Sequence, residues 1–308
     1  MTDTIRIGLL HYPAAQQAAL LGLADLFAIA GQQAATTLPR LEVLHLCDLN
    51  APRPEPLPDV IILPPSLAAP ISTTAAEPLV PGLLAAHERG AVLASVCAGA
   101  FLLAETGLLN GRRATTHWAY TSDFAARFPK VELDADRLIV DEGKLITAGG
   151  MMAWTDLGLV LVDRLLGTQV MLATAQILLI DPPGREQRFY SNFAPRLNHG
   201  DAAILKVQHW LQDTDGHNAR LPDLAARAGL EERTFLRRFQ KATGMTSTEY
   251  AQRLRIDRAR QILQSTTQPI DSIAWAVGYR DPAAFRKLFQ RITGLTPGAY
   301  RRRFRAMG

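Results

Sequence analysis

The sequence contains few cysteines and lacks long apolar runs, and both shortages exclude whole classes of protein. Its 308 residues include only two cysteines, Cys47 and Cys97, too few for a disulfide framework or a cysteine-rich zinc site. No apolar run approaches the roughly 20 residues that a membrane-spanning helix needs. The first residues also lack the basic-then-apolar layout of a secretion signal. We therefore expect a cytoplasmic protein without a membrane partner.

Patterns that bind metals or phosphate groups are missing as well. His199, His209 and His217 are irregularly spaced and have no thiol or carboxylate neighbours at the separations of metal ligands. The pair Gly149-Gly150 lacks a following Lys and Ser/Thr, so it predicts a tight turn and not a phosphate loop. We expect no metal and no cofactor.

Acidic residues are scarce in the last third of the chain. The whole chain has a net charge of +4, and 48% of its residues are hydrophobic, as in ordinary globular proteins. Residues 1–200 carry 14 Lys or Arg against 19 Asp or Glu, a net charge of −5, whereas residues 201–308 carry 19 against 10, a net charge of +9. A segment this basic indicates a polyanionic partner.

Short apolar runs alternate with helical patterns in the first part of the chain. Runs rich in Val, Ile and Leu are typical of strands buried on both faces of a parallel sheet. The predicted strands are Ile5–Leu10, Leu41–Leu46, Val60–Leu63, Val92–Val96, Leu138–Val140 and Leu145–Thr147. The predicted helices are Gln16–Ala30, Leu79–Arg89, Met152–Leu166 and Thr168–Ile180. This alternation predicts an open α/β sandwich with right-handed crossovers.

A change of pattern marks the domain boundary. The helical pattern stops at Asp181-Pro182-Pro183-Gly184, and residues 185–200 show no period. Only helical patterns follow, beginning with the amphipathic run Asp201–Gln212. We predict an α/β domain over residues 1–184, a linker over 185–200 and an all-α domain over 201–308.

The predicted all-α domain nearly repeats itself. Residues 224–230 match residues 273–279 at an offset of 49. At an offset of 50, a further set matches: Phe235, Phe239, Gly244 and Thr246 with Phe285, Phe289, Gly294 and Thr296. One residue is therefore inserted in the second turn.

Each copy has the pattern of a helix-turn-helix unit, whose second helix enters the major groove of DNA. A small Ala allows the two helices to cross closely, and Gly229 and Gly278 can adopt the positive φ that the turn requires. Aromatic residues four positions apart lie on one face of the second helix, which they are expected to pack against the rest of the unit. Pro222 and Asp271 are expected to start the first helices, and Gly244 and Gly294 to end the second ones.

The outward residues of the second helices suit DNA reading, because Arg and Lys bind guanine edges and phosphates while Leu and Ala fit a thymine methyl. The first unit offers Arg233, Leu236, Arg237 and Arg238; the second offers Ala283, Arg286 and Lys287, with Arg280 at its approach. A long helix over Thr246–Gln264 connects the units. Its arginines Arg253, Arg255, Arg258 and Arg260 are expected to hold the units one turn of DNA apart.

Residues 273–301 resemble the signature of AraC/XylS-type regulators. The matching residues are Ile273-Ala274, Val277-Gly278-Tyr279, Phe285-Arg286-Lys287-Leu288-Phe289, Gly294-Leu295-Thr296-Pro297 and Tyr300-Arg301. The resemblance implies an activator that reads double-stranded DNA through two recognition helices in adjacent major grooves, with RNA polymerase as a candidate partner. Carried over by position, the reading residues are Arg233, Leu236 and Arg237, then Pro282, Ala283, Arg286 and Lys287.

Cys97 follows a predicted strand and precedes small residues that open a helix. A thiol on such a sharp turn is exposed above the sheet, and the N-terminus of the following helix lowers its pKa. The alternative is a small apolar residue packed at a strand end. Cys47, which ends another predicted strand, is expected to lie in the core.

The stretch around Cys97 resembles the ThiJ/PfpI branch of the class I glutamine-amidotransferase-like superfamily. The matching residues are Cys97-Ala98-Gly99-Ala100-Phe101-Leu102-Leu103-Ala104, Gly107-Leu108-Leu109 and Gly111-Arg112-Arg113-Ala114-Thr115-Thr116-His117-Trp118. The resemblance spans about residues 5–180 and implies a flavodoxin-like sandwich with His117 as the histidine that follows the nucleophile. In many relatives an acidic residue approaches the cysteine; here that position holds Ala19. We therefore predict a protein that is not an enzyme.

The two resemblances together are similar to the GlxA-like branch of regulators, in which the α/β domain senses and dimerises. This implies a homodimer through the first domain and an unknown effector, such as an amine, amide or carbonyl metabolite, in a pocket lined by Cys97 and His117. The main prediction is a sequence-specific transcriptional regulator associated with the nucleoid. Two alternatives use Cys97 on a DNA-tethered protein: a thiol-dependent hydrolase or amidase, and a thiol redox sensor.

Overall fold

Six of the apolar runs form one sheet in a computed structural model, which describes residues 4–47 and 58–305. The chain divides into two units, Met1–Gln187 and Arg188–Gly308. Strands of the first unit are β1 Thr4–Leu10, β2 Arg40–Leu46, β3 Val60–Leu63, β4 Val92–Val96, β5 Arg113–Ala114, β6 Glu132–Leu133, β7 Ile139–Asp141 and β8 Leu145–Ala148. The sheet order β2-β1-β3-β4-β8-β7 confirms the predicted α/β sandwich, and each predicted strand end is correct to within one residue.

The helices of the first unit pack on this sheet. They are α1 Gln17–Gln33, α2 Thr73–Ala76, α3 Val80–Glu88, α4 Gly99–Glu105, α5 Thr121–Arg127, α6 Trp154–Leu166 and α7 Thr168–Leu178, with a 3₁₀ turn at Trp118–Tyr120. The elements β5, β6, α2 and α5 were not predicted, because segments of two to seven residues are too short to show a period.

The sheet departs from the prediction at one edge. Strand β7 runs antiparallel to β8, whereas the other strand pairs of this sheet are parallel. Only residues 142–144 separate β7 from β8, and the Glu142 amide donates to the Leu145 carbonyl. So short a connection can close a hairpin but cannot carry a parallel crossover.

Strand β2 lies at the opposite edge of the sheet and corrects the expectation for Cys47. Leu46 is its last buried residue, and Cys47, the next one, is exposed. The prediction of a core cysteine was wrong because an edge strand is covered on fewer sides than the central strands. Within the described part of the chain, no helix is long and apolar enough to span a bilayer.

The second unit is helical throughout its described residues. Its helices are α8 Ala202–Asp213, α9 Leu221–Ala228, α10 Glu232–Thr243, α11 Ser247–Ser265, α12 Ile270–Ala276, α13 Pro282–Thr293 and α14 Pro297–Phe304. Gly229 and Gly278 have φ of +66° and +84°, so the predicted turn glycines are confirmed. Pro222 and Asp271 lie inside the first turns of α9 and α12, one residue after the helices begin.

Each helix-turn-helix unit has its own apolar core, and the cores are built alike. The Phe239 ring meets Tyr250 edge-on at 5.4 Å, and the Phe289 ring meets Tyr300 in the same way at 5.5 Å. Each tyrosine hydroxyl accepts a hydrogen bond from a glutamine. Gln208 of α8 donates to Tyr250 at 3.3 Å, and Gln264 of α11 donates to Tyr300 at 3.0 Å. The structural repeat therefore extends beyond the residues that match in sequence.

Residues 185–200, predicted as a linker, make tertiary contacts on both sides of the unit boundary. Arg185 forms a two-pronged ion pair with the buried carboxylate of Asp156 in the first unit. In the second unit, Arg260 donates to the Ser191 carbonyl, and the Phe193 ring packs on Tyr250 at 5.0 Å. This stretch lacks a period because irregular segments are held by individual contacts and not by a repeated face.

Candidate nucleic-acid interface and small-molecule pocket

One face of α10 is buried, and this decides which of its residues point outward. Phe235 and Phe239 are fully buried in the first core. Arg233, Leu236 and Arg237 lie on the exposed side of the helix. Leu236 leaves 41% of its surface exposed, and an exposed leucine between arginines suits contact with a thymine methyl.

Arg238 lies on a different face from these three residues. Its guanidinium donates two hydrogen bonds, at 2.9 and 2.7 Å, to the carboxylate of Asp201, which caps the N-terminus of α8. These bonds lower the pKa of Asp201. In α13 the equivalent residue at an offset of 50 is Leu288, which is buried. Arg238 thus links α10 to the start of α8 through a partly exposed ion pair, and its role in DNA binding stays a prediction.

Helix α13 repeats the arrangement of α10. Phe285 and Phe289 are buried, while Ala283, Arg286 and Lys287 are exposed. Arg286 forms an ion pair with Asp271 in the first turn of α12; both side chains are about half exposed. The pair leaves the guanidinium at the surface, where an incoming acceptor can compete for it.

The start of α13 is formed by Asp281 and Pro282. The Asp281 carboxylate accepts hydrogen bonds from the amides of Ala283 and Ala284, at 2.8 and 3.2 Å. Pro282 is the first residue of the helix and half-buried, so it initiates the helix. Arg280 lies just before the cap and is exposed.

Gln240 and Gln290 also lie on the exposed stripes and were not predicted. Gln240 is seven positions after Arg233, and Gln290 is seven after Ala283, so each is on the same side of its helix as the predicted readers. A glutamine amide can pair with an adenine edge. Their equivalence at an offset of 50 was a signal in the sequence that could have found them.

The arginines of α11 bind protein groups. Arg253 pairs with Glu249 at 3.2 Å, and Arg258 with Asp215 at 3.5 Å. Arg255 donates to the Gly216 carbonyl at 2.8 Å and to the Gly278 carbonyl at 3.4 Å. Arg260 is buried and donates to carbonyls of residues 188 and 191. Arg255 thus joins the loop before α9 to the turn before α13.

Cys97 occupies the turn between β4 and α4 with a φ of +55°, a left-handed conformation that is strained for a residue with a side chain. Its side chain is fully buried. Burial raises the pKa of the thiol to about 11, against the smaller opposing effect of a hydrogen bond from the Ala98 backbone. The predicted lowering of this pKa by the helix is therefore corrected: desolvation outweighs it.

His117 lies near Cys97 in the fold, with a different set of partners. Its Nδ1 accepts a hydrogen bond from the Ala119 amide at 3.1 Å, and burial lowers its pKa. The neighbouring Thr116 hydroxyl donates to the Cys97 carbonyl at 2.9 Å. No described hydrogen bond joins the imidazole to the Cys97 sulfur.

Two tyrosines, Tyr12 and Tyr120, lie close enough to Cys97 to interact with it electrostatically. Burial raises the pKa of Tyr12 and Tyr120, and the nearby thiol of Cys97 raises both further. Ala19, at the position of the expected acid, is fully buried. Burial therefore favours the neutral forms of both the Cys97 thiol and the His117 imidazole.

Gln187 fixes the loop that carries His117. Its Oε1 accepts a hydrogen bond from the Trp118 amide at 2.8 Å, and its Nε2 donates to the carbonyls of Thr116 and Ala135 at 2.9 Å. Only 2% of its surface is exposed. A Cβ on Gly149 would lie 2.6 Å from the same amide, so the predicted tight turn leaves room for it. The aperiodic sequence around Gln187 offered no signal for this role.

Two family models match separate parts of the chain. The DJ-1/PfpI family matches residues 53–164, and a helix-turn-helix domain model of AraC type matches residues 224–303. The chain thus contains a region similar to the DJ-1/PfpI family, followed by a region similar to AraC-type helix-turn-helix domains.

The chain is also similar to bacterial proteins that are named as transcriptional regulators. The chain is 29% identical over 217 residues to the HTH-type transcriptional regulator GlxA of Rhizobium meliloti (strain 1021), covering 70% of this chain and 66% of the relative. It is 28% identical over 210 residues to the HTH-type transcriptional regulator ArgR of Pseudomonas aeruginosa, covering 68% and 63%. The HTH-type transcriptional activator RhaR of Klebsiella pneumoniae is 40% identical over 117 residues, covering 38% and 42%. The matches thus span less than two thirds of these relatives' lengths.

Proposed function

We propose that this protein is a sequence-specific DNA-binding transcriptional regulator controlled by a small metabolite. The observation that carries the proposal is the pair of equivalent exposed stripes on α10 and α13, each opposite a buried pair of phenylalanines. Two matched reading helices fixed on separate cores suit a DNA site in two parts. The net charge of +9 over residues 201–308 favours the same partner.

The two stripes differ in their chemistry. The first, with Arg233, Leu236, Arg237 and Gln240, offers both hydrogen bonds to base edges and an apolar contact. The second, with Ala283, Arg286, Lys287 and Gln290, has one small apolar residue and an arginine already paired with protein. We assign most of the sequence specificity to the first stripe and more of the phosphate contact to the second. Arg280, just before the second stripe, is assigned to phosphate contact as well.

Footprinting of the DNA upstream of its own gene tests this function. Wild-type protein is expected to give salt-sensitive, sequence-selective protection in two blocks about one helical turn apart. Arg237→Ala should cost about 1–3 kcal/mol on the protected site and much less on random DNA, if Arg237 contacts a base edge. Lys206→Ala, an exposed cation on α8, is the matched control. An equal loss on both DNAs would make Arg237 a phosphate contact, and no selective protection at all would refute the proposed function.

The α/β domain predicted over residues 1–184 is proposed to bind the effector and to dimerise. Cys97 and His117 are assigned to the wall of the effector pocket, without turnover, since the thiol is buried and neutral and Ala19 replaces the acid. Neutral groups suit an uncharged amide or carbonyl compound, or an amine bound in its neutral form, better than an ion that needs a counter-charge. Exposed apolar residues on the packed helices α1 and α7, such as Leu21, Leu172 and Ile177, support a homodimer through this unit. Activation through RNA polymerase is part of the proposal.

Alkylation of Cys97 tests its assignment. In a Cys47→Ser protein, which removes the exposed second thiol, iodoacetamide should label Cys97 slowly at neutral pH. The rate should rise with pH toward the raised pKa of about 11, because the thiolate is the reacting form. An alkylation rate that stops rising with pH near or below pH 8.5 would contradict a buried neutral thiol and favour the hydrolase or redox alternatives.

A further inference from the structure

A cavity of about 520 Å³ lies between the two helix-turn-helix units of the second domain. Arg220, Arg255 and Arg280 line it together with Trp275. None of the residues that line the cavity is acidic. Three guanidinium groups without a lining carboxylate create a site for an anion.

The three arginines have different roles in this cavity. Arg255 is committed to protein, since it donates to the carbonyls of Gly216 and Gly278 and lies over the Tyr279 ring at 5.7 Å. It therefore holds the two walls together. Arg220 and Arg280 are exposed, and neither side chain has a hydrogen bond or an ion pair within residues 4–47 and 58–305. Their guanidinium donors remain available to a ligand.

The position of the cavity indicates the source of the anion. Arg220 directly precedes α9, the first helix of the first helix-turn-helix unit. Arg280 directly precedes the cap of α13, the reading helix of the second helix-turn-helix unit. The cavity is therefore lined by residues of both helix-turn-helix units, namely the loop before α9 and the turn before α13, with Arg255 of α11. When two such helices occupy adjacent major grooves, the sugar-phosphate backbone passes between them.

We propose that this cavity binds a backbone phosphate of the DNA, with Arg220 and Arg280 as its ligands and Arg255 as the residue that positions the walls. The inference rests on the proposed function. Arginine suits the role because its planar fork can donate two hydrogen bonds to one phosphate group. Trp275, 59% exposed at the rim, has an indole N–H that can donate to the same backbone. Such a contact adds affinity for any sequence and sets the register of the two readers.

The salt dependence of DNA binding tests the proposal on the full chain. The affinity for random-sequence duplex DNA is measured as a function of salt for wild type, Arg220→Gln, Arg280→Gln and the control Lys206→Gln. Each of the two cavity variants should lower the slope of log K against log salt by about 0.9, the change expected for one lost phosphate contact. Lys206→Gln should keep the wild-type slope. Arg255→Gln is unsuitable, because it would also release Gly216 and Gly278.

Two results would overturn the proposal. Wild-type slopes in Arg220→Gln and Arg280→Gln, with DNA still bound, would show that the cavity does not contact the backbone. The slopes can stay at the wild-type value while inorganic phosphate, at constant ionic strength, quenches tryptophan fluorescence in wild type but not in Trp275→Phe. This pair of results would assign the cavity to a free phosphate compound. A wild-type protein that binds no DNA at any salt concentration would refute the proposed function instead.

Discussion

Phe289→Ala is expected to lower the free energy of unfolding of the second unit by about 3–5 kcal/mol, the usual loss for a buried phenylalanine. The Phe289 ring is fully buried and touches two aromatic partners, Phe285 at 5.6 Å and Tyr300 at 5.5 Å. Its removal leaves a cavity in a core of only a few helices, which has little capacity to collapse around it. Urea unfolding followed by far-UV circular dichroism measures the loss.

The same variant should separate the two readers. The first core contains none of the contacts of Phe289, so the footprint block assigned to α10 should persist after the block assigned to α13 disappears. Lys206→Ala is the control, because Lys206 is exposed on α8 outside both reading stripes and its loss should change stability by no more than about 0.5 kcal/mol. A loss below about 1 kcal/mol in Phe289→Ala would contradict the packing described for this core.

Gln187→Leu is expected to lower the free energy of unfolding of the first unit by about 3 kcal/mol or more. The substitution keeps the size of the side chain but leaves three backbone groups without their partner: the buried Thr116 carbonyl and the part-buried Trp118 amide and Ala135 carbonyl. Each unpaired buried polar group costs about 1–3 kcal/mol. Thermal and urea unfolding give the total.

The loop that carries His117 should respond to this change more than the rest of the unit. Hydrogen exchange at the Trp118 amide should accelerate, because Gln187 Oε1 is its described acceptor. Gln176→Leu, an exposed glutamine on α7, should alter neither stability nor exchange at Trp118. A Gln187→Leu protein with wild-type stability would mean that water or another group replaces the amide.

Much of the fold follows from patterns between near neighbours in the chain. The strands of the large sheet and the turn glycines Gly229 and Gly278 were predictable, because burial on both faces and a positive φ leave local signals. The exposure of Arg233, Leu236 and Arg237 was predictable for the same reason, since Phe235 and Phe239 define the buried face of α10, while their role in reading DNA stays a prediction.

What the sequence by itself determined is therefore the order of elements, the two helix-turn-helix units and the side of each reading helix that faces outward. Tertiary structure alone decided the partners of polar groups. Arg238 pairs with Asp201, 37 residues away, and Gln187 bonds to Thr116, 71 residues away. It also decided the exposure of Cys47 at a sheet edge and the raised pKa of the Cys97 thiol. The physical reason is that periodicity and turn chemistry act between adjacent residues, whereas burial and hydrogen bonding depend on which distant segments cover a group.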